Sequence, residues 1–270
     1  MTDLDAWLAE SPFLRDLGVR WRDGKIVMTV TEPHTLTGAL HGGATAALAA
    51  VSAQATMRAS EPELDPSTSS IHVTYPRSGR GTVFTAVSTP IRRARELGFY
   101  QTEVRDAEER VIATASSALS TDRHGGADIP AQPSPPHDPG GLGKGIESIP
   151  FMRRRGVRTE GIDHGALELT MAAEERNLDG KGRLHEGAVL TLIDVAGACV
   201  PWTHSRPSDA TSGVTITLHA HILGELPDSG VVARAGVTAH DDRFFWCDVD
   251  VFTQADRRLC AKGHLTYRYL

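Results

Sequence analysis

The sequence predicts an α+β protein of two tandem halves, each with one long helix lying against an antiparallel sheet. A Leu-His-x-Gly motif occurs twice, beginning at Leu40 and at Leu184, and this spacing is too long for a solenoid repeat. In both halves the motif is followed by segments that alternate apolar and polar residues in the same order. A Pro/Gly-rich stretch separates the two halves. Together these observations indicate an internal duplication.

The two motif segments predict the long helices. They read "ALHGGATAALAAVSA" over 39–53 and "RLHEGAVLTLIDVAGA" over 183–198. Both place small and apolar residues at helical spacing, which predicts one face that packs closely on the sheet. We expect Pro201 to end the second helix. The repeated face consists of Ala44, Ala47, Leu48 and Val51 in the first half and Ala188, Thr191, Leu192 and Val195 in the second.

Alternating segments predict one strand before each helix and four after it. Before the helices stand "KIVMTVTE" and "ALELTMAA", and the first strands after them read "SIHVTYP" and "GVTITLHAHIL". Each half opens with a short amphipathic segment that leads to Gly-Val. One such unit leaves a sheet edge and an apolar face exposed. We therefore expect the two units to cover each other about a pseudo-two-fold axis, as in a homodimer.

The connection between the halves is predicted to be a linker. Residues 121–145 are crowded with Pro and Gly, and the sequence there predicts neither a helix nor a central strand. We expect an N-terminal domain over 1–120, a linker over 121–148 and a C-terminal domain over 149–270.

Composition is typical of a soluble globular protein, with 40% hydrophobic and 23% charged residues. The formal net charge of −6 argues against a general attraction to nucleic acid or anionic membranes. No apolar run reaches the roughly 18 residues of a membrane span, and the acidic N-terminus lacks the order of a signal peptide. The three cysteines form no CxxC pair and are read as reduced thiols. These features predict a cytoplasmic protein.

Asp194 is the residue that points most directly to function. It is the only charged residue between Gly187 and Trp202, in an otherwise apolar helix, and the first copy has Ala50 at the corresponding position. A charge on a buried helix face is costly unless it is partnered or functional. We therefore favour a functional carboxylate over a solvated one.

The motifs resemble those of hotdog-fold acyl-CoA thioesterases of the phenylacetyl-CoA and 4-hydroxybenzoyl-CoA type. The shared pattern is Leu-His-Gly-Gly-x-x-x-x-Leu-x-Asp, and it is met twice with the family's strand order, so the chain resembles a fused double hotdog. The first copy lacks the Asp, and the second has Glu186 where the pattern has Gly. The Asp-x-Asn-Pro-x-His signature of hotdog dehydratases does not occur. The resemblance implies a thioester hydrolase.

The resemblance also implies which residues form the site. Backbone N–H groups of Gly42 and Gly43, at a helix N-terminus, suit the oxyanion of the attacked thioester, and His41 is a capping group beside them. The acid acts as a general base or a nucleophile and comes from the facing helix, so Asp194 is expected to serve the first motif. The reciprocal site would pair the second motif with Ala50. One competent and one degenerate site are therefore expected.

Supporting positions follow from the same resemblance. A hydroxyl near the acid is matched best by Thr215, with Ser212 as the second choice. A polar contact before the motif falls on Thr35, which departs from the expected Asn or Gln, and near Asn177 in the second half. The substrate-binding residues expected at the reciprocal site are His185, Glu186 and Gly187. For Glu186, a side chain that blocks this site, a second base and a solvated first-turn acid stay open.

Arginine clusters are candidates for the phosphates of coenzyme A, because guanidinium groups bind phosphate through two hydrogen bonds. We assign Arg92 and Arg93 to this role, and a second cluster lies at 153–155. Two histidines in "HAH" (219–221) lack a third ligand at metal spacing, so no metal is expected. Coenzyme A is expected as part of the substrate, with no other cofactor. A non-catalytic acyl-CoA binding protein is the alternative, and further homo-oligomerisation stays open.

Overall fold

The computed structural model describes residues 3–122, 141–204, 209 and 212–270. The first half contains α1 (Asp3–Glu10), α2 (Pro12–Leu17), β1 (Val19–Arg22), β2 (Lys25–Thr29), α3 (Gly42–Ser60), β3 (Ser67–Thr74), β4 (Val83–Arg93), β5 (Leu97–Asp106) and β6 (Val111–Ser120). The second half contains α4 (Gly141–Ser148), α5 (Pro150–Arg154), β7 (Val157–Asp163), β8 (Ala166–Met171), α6 (Glu186–Cys199), β9 (Gly213–Ile222), β10 (Val231–His240), β11 (Phe244–Thr253) and β12 (Leu259–Tyr269). Two short 3-10 helices, Glu175–Asn177 and Val200–Thr203, flank α6.

The strands of the described residues form one antiparallel sheet of twelve strands in the order β1-β2-β4-β5-β6-β3-β9-β12-β11-β10-β8-β7. The halves meet where β3 pairs with β9, and His72 lies opposite His219 there. Outward from this junction, each strand of one half has its counterpart in the other. The predicted α+β class with two pseudo-symmetric halves is confirmed.

The long helices α3 and α6 pack on each other inside the sheet, and glycines allow the close approach. A Cβ on Gly43 would lie 2.5 Å from the Cα of Thr191, and one on Gly187 would lie 2.8 Å from the Cβ of Ala47. These two contacts are counterparts under the duplication, so the helices cross symmetrically. The small residues therefore serve helix–helix packing in addition to the expected packing on the sheet.

Each half has two strands before its long helix, where one was predicted. The Gly-Val segments form the additional strands, because Gly18 and Gly156 adopt positive φ angles and turn the chain from a short helix into β1 or β7. The end of the predicted linker is helical instead of irregular. Helix α4 forms there because Ile146 is buried and Glu147 accepts a hydrogen bond from the Thr159 amide at 2.9 Å. Residues 123–140 of the linker lie outside the described residues.

The short helices are exchanged between the halves. Phe13 of α2 stacks on His185 at the start of α6, with 4.6 Å between ring centroids. Phe151 of α5 lies 5.5 Å from the ring of His41, at the start of α3. Both helix starts are therefore covered by the opposite half, so each potential site depends on the whole chain.

Candidate functional site

Asp194 lies at the interface of α6, α3 and β9. Its side chain is buried, with 2% of the residue exposed. Oδ2 accepts a hydrogen bond from the backbone N–H of Gly43 at 2.8 Å, and Oδ1 accepts one from the Thr215 hydroxyl at 3.0 Å. The structure thus brings together three predicted residues from separate parts of the chain.

Burial sets the protonation of this carboxyl group. It raises the pKa of Asp194 from 3.8 to about 6, while the hydrogen bonds from Thr215 and Gly43 act in the opposite direction. The carboxylate is therefore ionised at neutral pH and holds a proton in mildly acidic solution. A pKa near the working pH suits a group that accepts and returns a proton.

His41 is the N-cap of α3, and its Nδ1 accepts the Gly43 N–H at 3.1 Å. The same N–H is shared with Asp194, whose Oδ2 lies 3.2 Å from Nδ1. Burial lowers the pKa of His41 to about 4, so the ring is neutral at neutral pH. The His41–Asp194 contact is therefore not an ion pair. Accepting through Nδ1 places the ring proton on Nε2.

Gly42, the first residue of α3, lies against the carboxylate of Asp194. A Cβ there would lie 2.8 Å from Oδ2 and 3.0 Å from Oδ1 of Asp194, so only glycine leaves room for the carboxylate. The Tyr75 hydroxyl donates a hydrogen bond to the Gly42 carbonyl at 3.1 Å and fixes this turn. Burial, followed by the charge of Asp194, raises the pKa of Tyr75, which keeps the hydroxyl protonated. Tyr75 was missed from the sequence because it carries no motif.

Two backbone donors flank the carboxylate. The Gly43 N–H is used by His41 and Asp194, and the Gly42 N–H has no acceptor among the described residues. A carbonyl oxygen placed at this helix start meets the Gly42 N–H first. It can also take the Gly43 N–H if the carboxylate moves. The helix dipole favours negative charge at the same place.

The reciprocal site contains a carboxylate after all, contributed by Glu186. This residue is 5% exposed, so a solvated first-turn acid is ruled out. Its Oε2 accepts hydrogen bonds from the Gln54 side-chain amide at 2.7 Å and from the Thr68 backbone N–H at 2.9 Å. A cavity of about 240 Å³ lies beside Glu186, Gln54 and His185. His185 caps α6 as His41 caps α3, with Nδ1 2.9 Å from the Gly187 nitrogen.

The differences between the two sites are sterically linked. Because the Gly43–Thr191 contact corresponds to Gly187–Ala47, the counterpart of Gly42 beside Asp194 is Glu186 beside Ala50. A side chain on the first helical residue and an acid on the facing helix compete for the same space. The site that contains Asp194 therefore has glycine at the first helical residue, Gly42. The site that has Glu186 at the first helical residue has Ala50 in place of the acid.

This linkage predicts the result of restoring the second acid. We expect Ala50→Asp to destabilise the fold, because it forces a second carboxylate against Glu186. The loss should be smaller by about 1–3 kcal/mol when Glu186→Gly is also present. Urea unfolding of the four proteins of this double-mutant cycle measures the coupling. Additive effects would contradict the proposed competition for space.

The remaining predicted residues are placed as follows. Thr35 stabilises the loop in which it lies, since its hydroxyl accepts a hydrogen bond from the Ala39 N–H at 2.9 Å. The buried Asn177 side chain donates to the carbonyls of Arg155 and Ala172. Arg93 pairs with Glu61 at the C-terminal end of α3, whose 19 residues span about 28 Å from Gly42. Ser212 is exposed and immediately precedes β9. Substrate contacts of Thr35, Asn177, Arg92 and Arg93 stay predictions.

Within the described ranges, no group of three metal-capable side chains is found, and no helix is long and apolar enough to cross a membrane. His72 does lie beside His219 across the β3–β9 junction, 5.7 Å between ring centroids.

Comparison with known proteins identifies the fold of the chain, and a family model matches part of it. The family model described as the acyl-CoA thioesterase N-terminal domain matches residues 30–118. A hot dog fold protein of unknown function from Alicyclobacillus acidocaldarius has a TM-score of 0.67 and 18% identity, covering 100% of this chain and 98% of its own. An acyl-CoA thioesterase II from Mycobacterium marinum has a TM-score of 0.67 and 13% identity, covering 97% and 96%. A comparison with curated protein sequences finds no match.

The structural likeness confirms the double-hotdog fold over the whole chain, and the family match confirms the resemblance to hotdog acyl-CoA thioesterases. Thioester hydrolysis is the general reaction that this family match supports.

Proposed function

We propose that this double-hotdog chain, whose residues 30–118 belong to the acyl-CoA thioesterase family, hydrolyses acyl-CoA thioesters with water activated by Asp194. The observation that carries the proposal is a buried carboxylate, with a pKa raised to about 6, held against the glycine turn of the opposite half. A surface carboxylate or a structural ion pair would not need this arrangement.

The proposed reaction begins with the thioester carbonyl oxygen at the start of α3, where the Gly42 N–H points. Asp194 removes a proton from water as the water oxygen bonds to the carbonyl carbon. The N–H groups and the helix dipole stabilise the resulting oxyanion. When the C–S bond breaks, protonated Asp194 returns its proton to the departing thiolate. The products are a carboxylic acid and a thiol, so all atoms balance.

Asp194 could instead attack the carbonyl as a nucleophile, expel the thiolate and form an anhydride, which water then hydrolyses. The hydrogen bonds that Oδ1 and Oδ2 accept from Thr215 and Gly43 hold the carboxylate in place, which favours the general base, because a base acts through a water molecule whereas a nucleophilic oxygen must approach the carbonyl carbon to bonding distance. Hydrolysis in H₂¹⁸O under single turnover tests the anhydride route. Label in the Asp194 side chain would show an anhydride that water opens at the Asp194 carbonyl carbon, because a general base keeps its own oxygens.

A panel of aryl- and alkyl-CoA thioesters, assayed for free thiol release, tests the proposed function. We expect turnover of at least one class, and loss of that turnover in Asp194→Asn. Tight binding of acyl-CoA without thiol release across the panel would instead establish a non-catalytic binding protein.

The activity should depend on pH through Asp194. We expect kcat/KM to rise with pH and to level off above an apparent pKa near 6, because only the ionised carboxylate accepts a proton. Thr215→Val should move the rise of kcat/KM to higher pH, since the hydrogen bond from Thr215 lowers the pKa of Asp194. Initial rates between about pH 5 and pH 8 measure both curves. If kcat/KM of Thr215→Val depends on pH as it does in wild type, the titrating group is not Asp194.

A further inference from the structure

A second feature of the molecule carries positive charge and is connected to the acid site through the contacts of Phe151 and His41. It is a cleft of about 560 Å³, called here the arginine cleft, and its lining consists of Glu32, Pro33, Pro150, Arg153, Arg154 and Arg176. We propose that the arginine cleft binds the phosphates of the coenzyme A nucleotide and so selects coenzyme A as the acyl carrier. This inference rests on the proposed thioester hydrolysis.

The charges of the cleft favour an anion. Glu32, the single acid among the described lining residues, pairs with Arg154 at 3.0 Å, and Arg154 also binds Asp16 through two nitrogens. The side chains of Arg153 and Arg176 are exposed, and no carboxylate among the described residues pairs with either of them. The chain as a whole is acidic, with a net charge of −6, so this local excess of guanidinium groups is a distinct electrostatic feature.

The backbone that carries these arginines is held rigidly. The buried Arg155 lies between Phe13 and Phe151, with its guanidinium carbon 5.0 Å from each ring centroid. Its nitrogens bind the carboxylate of Asp16 and the carbonyl of Arg176. Arg155 therefore ties the end of α5 to the turn that carries Arg176. Because the backbone at both arginines is already ordered, less entropy is lost when their side chains bind phosphate.

Contacts connect the cleft to the acid. Phe151 follows the cleft residue Pro150, stacks on His34 at 4.2 Å between centroids, and lies 5.5 Å from His41. His41 in turn contacts Asp194. His34 is buried, and its Nδ1 has no hydrogen-bond partner within the described part of the chain. A buried polar atom of this kind needs a partner, and the pantetheine arm of coenzyme A carries amide groups that fit this role.

The other arginine cluster is less suited to the same task. Arg93 is occupied by Glu61 and by the Leu97 carbonyl. It also lies at the far end of α3 from Gly42. The arginine cleft therefore replaces this cluster as the preferred phosphate site.

Binding of free coenzyme A, measured by calorimetry, tests the proposal without requiring turnover. We expect Arg153→Glu/Arg176→Glu to weaken coenzyme A binding by at least about tenfold, because two phosphate contacts become repulsive. The control Arg22→Glu/Lys25→Glu makes the same change of charge at the β1–β2 turn and should leave binding within about twofold. Both cleft side chains are exposed, so the fold should persist, and Arg153→Gln/Arg176→Gln provides a milder second test.

Equal weakening by the cleft and control variants, or no weakening by either cleft variant, would overturn the cleft assignment. Kinetic assays with two substrates provide a second test. For acyl-CoA, KM should rise at least about tenfold in the cleft variant, whereas turnover of the phosphate-free acyl-pantetheine should stay unchanged. Loss of acyl-carrier-protein hydrolysis with unchanged coenzyme A binding would reassign the cleft to the carrier protein. If wild type binds coenzyme A through the cleft but hydrolyses no thioester, the proposed function fails and the cleft assignment survives.

Discussion

Asp194→Asn should reduce kcat for thioester hydrolysis by about 10²–10⁴-fold, the usual contribution of a positioned general base. The amide cannot accept the proton of water. The substitution keeps the shape of the side chain, so the Asn Oδ1 can accept the Gly43 N–H while Nδ2 donates to the Thr215 hydroxyl. Substrate affinity should therefore change little. Stopped-flow and steady-state assays of purified wild-type and variant protein measure the two effects separately.

Folding stability supplies the control for this variant. The pKa of Asp194 is raised from 3.8 to about 6 on folding, so the folded chain binds the proton more tightly than the unfolded chain. Stability in the wild type should therefore fall as pH rises from about 4 to about 6, and the loss should persist at higher pH. Asp194→Asn removes this titration and should be at least as stable as wild type at neutral pH. Wild-type turnover in a folded Asp194→Asn variant would contradict the catalytic role, and a variant less stable than wild type at neutral pH would contradict the expected gain in stability.

A surface carboxylate provides a matched comparison. Asp248 is exposed on β11 and pairs with His264. We expect Asp248→Asn to keep turnover and stability close to wild type, because an exposed pair contributes little. The contrast separates loss of a particular buried carboxylate from loss of negative charge in general.

The sequence predicted what repeats and periodicity encode. The duplication is visible from the two matching motif segments, and the long helices are visible from their apolar spacing. Asp194 stands out because it is a charged residue in an apolar helix and the other copy has alanine there. Tyr75 and Gln54 could not be found in this way. They reach Gly42 and Glu186 only through the strand register and the helix crossing, which no local pattern specifies.

The exchange of the short helices was hidden for the same reason. Phe13 and Phe151 stand in similar amphipathic segments, and periodicity shows only that each has a buried face. Which half that face covers depends on packing around the pseudo-two-fold axis. The arginine cleft is a consequence of this exchange, because α5 carries Arg153 and Arg154 to Glu32 and Pro33 of the other half.

Two adjacent glycines should respond differently to the same substitution. Gly42→Ala should lower kcat/KM by at least about tenfold, since its Cβ would lie 2.8 Å from Asp194 Oδ2 and displace the carboxylate. Stability should change little, because the displaced group is the end of a side chain. Gly43→Ala should instead lower stability by about 1–3 kcal/mol, since its Cβ would lie 2.5 Å from the Cα of Thr191 and push the two helices apart.

Thermal unfolding and initial-rate assays on the two variants distinguish these effects, and Gly145→Ala is the matched control. Gly145 lies within α4 with open space where its Cβ would stand, so alanine there should be neutral or slightly stabilising. If Gly42→Ala loses stability and activity in the same proportion as Gly43→Ala, both glycines serve only helix packing. If Gly42→Ala alone loses activity while it remains folded, the catalytic position of the Asp194 carboxylate depends on the absence of a side chain at position 42. The presence of Glu186 at the corresponding position would then explain why the second site could not keep an acid at Ala50.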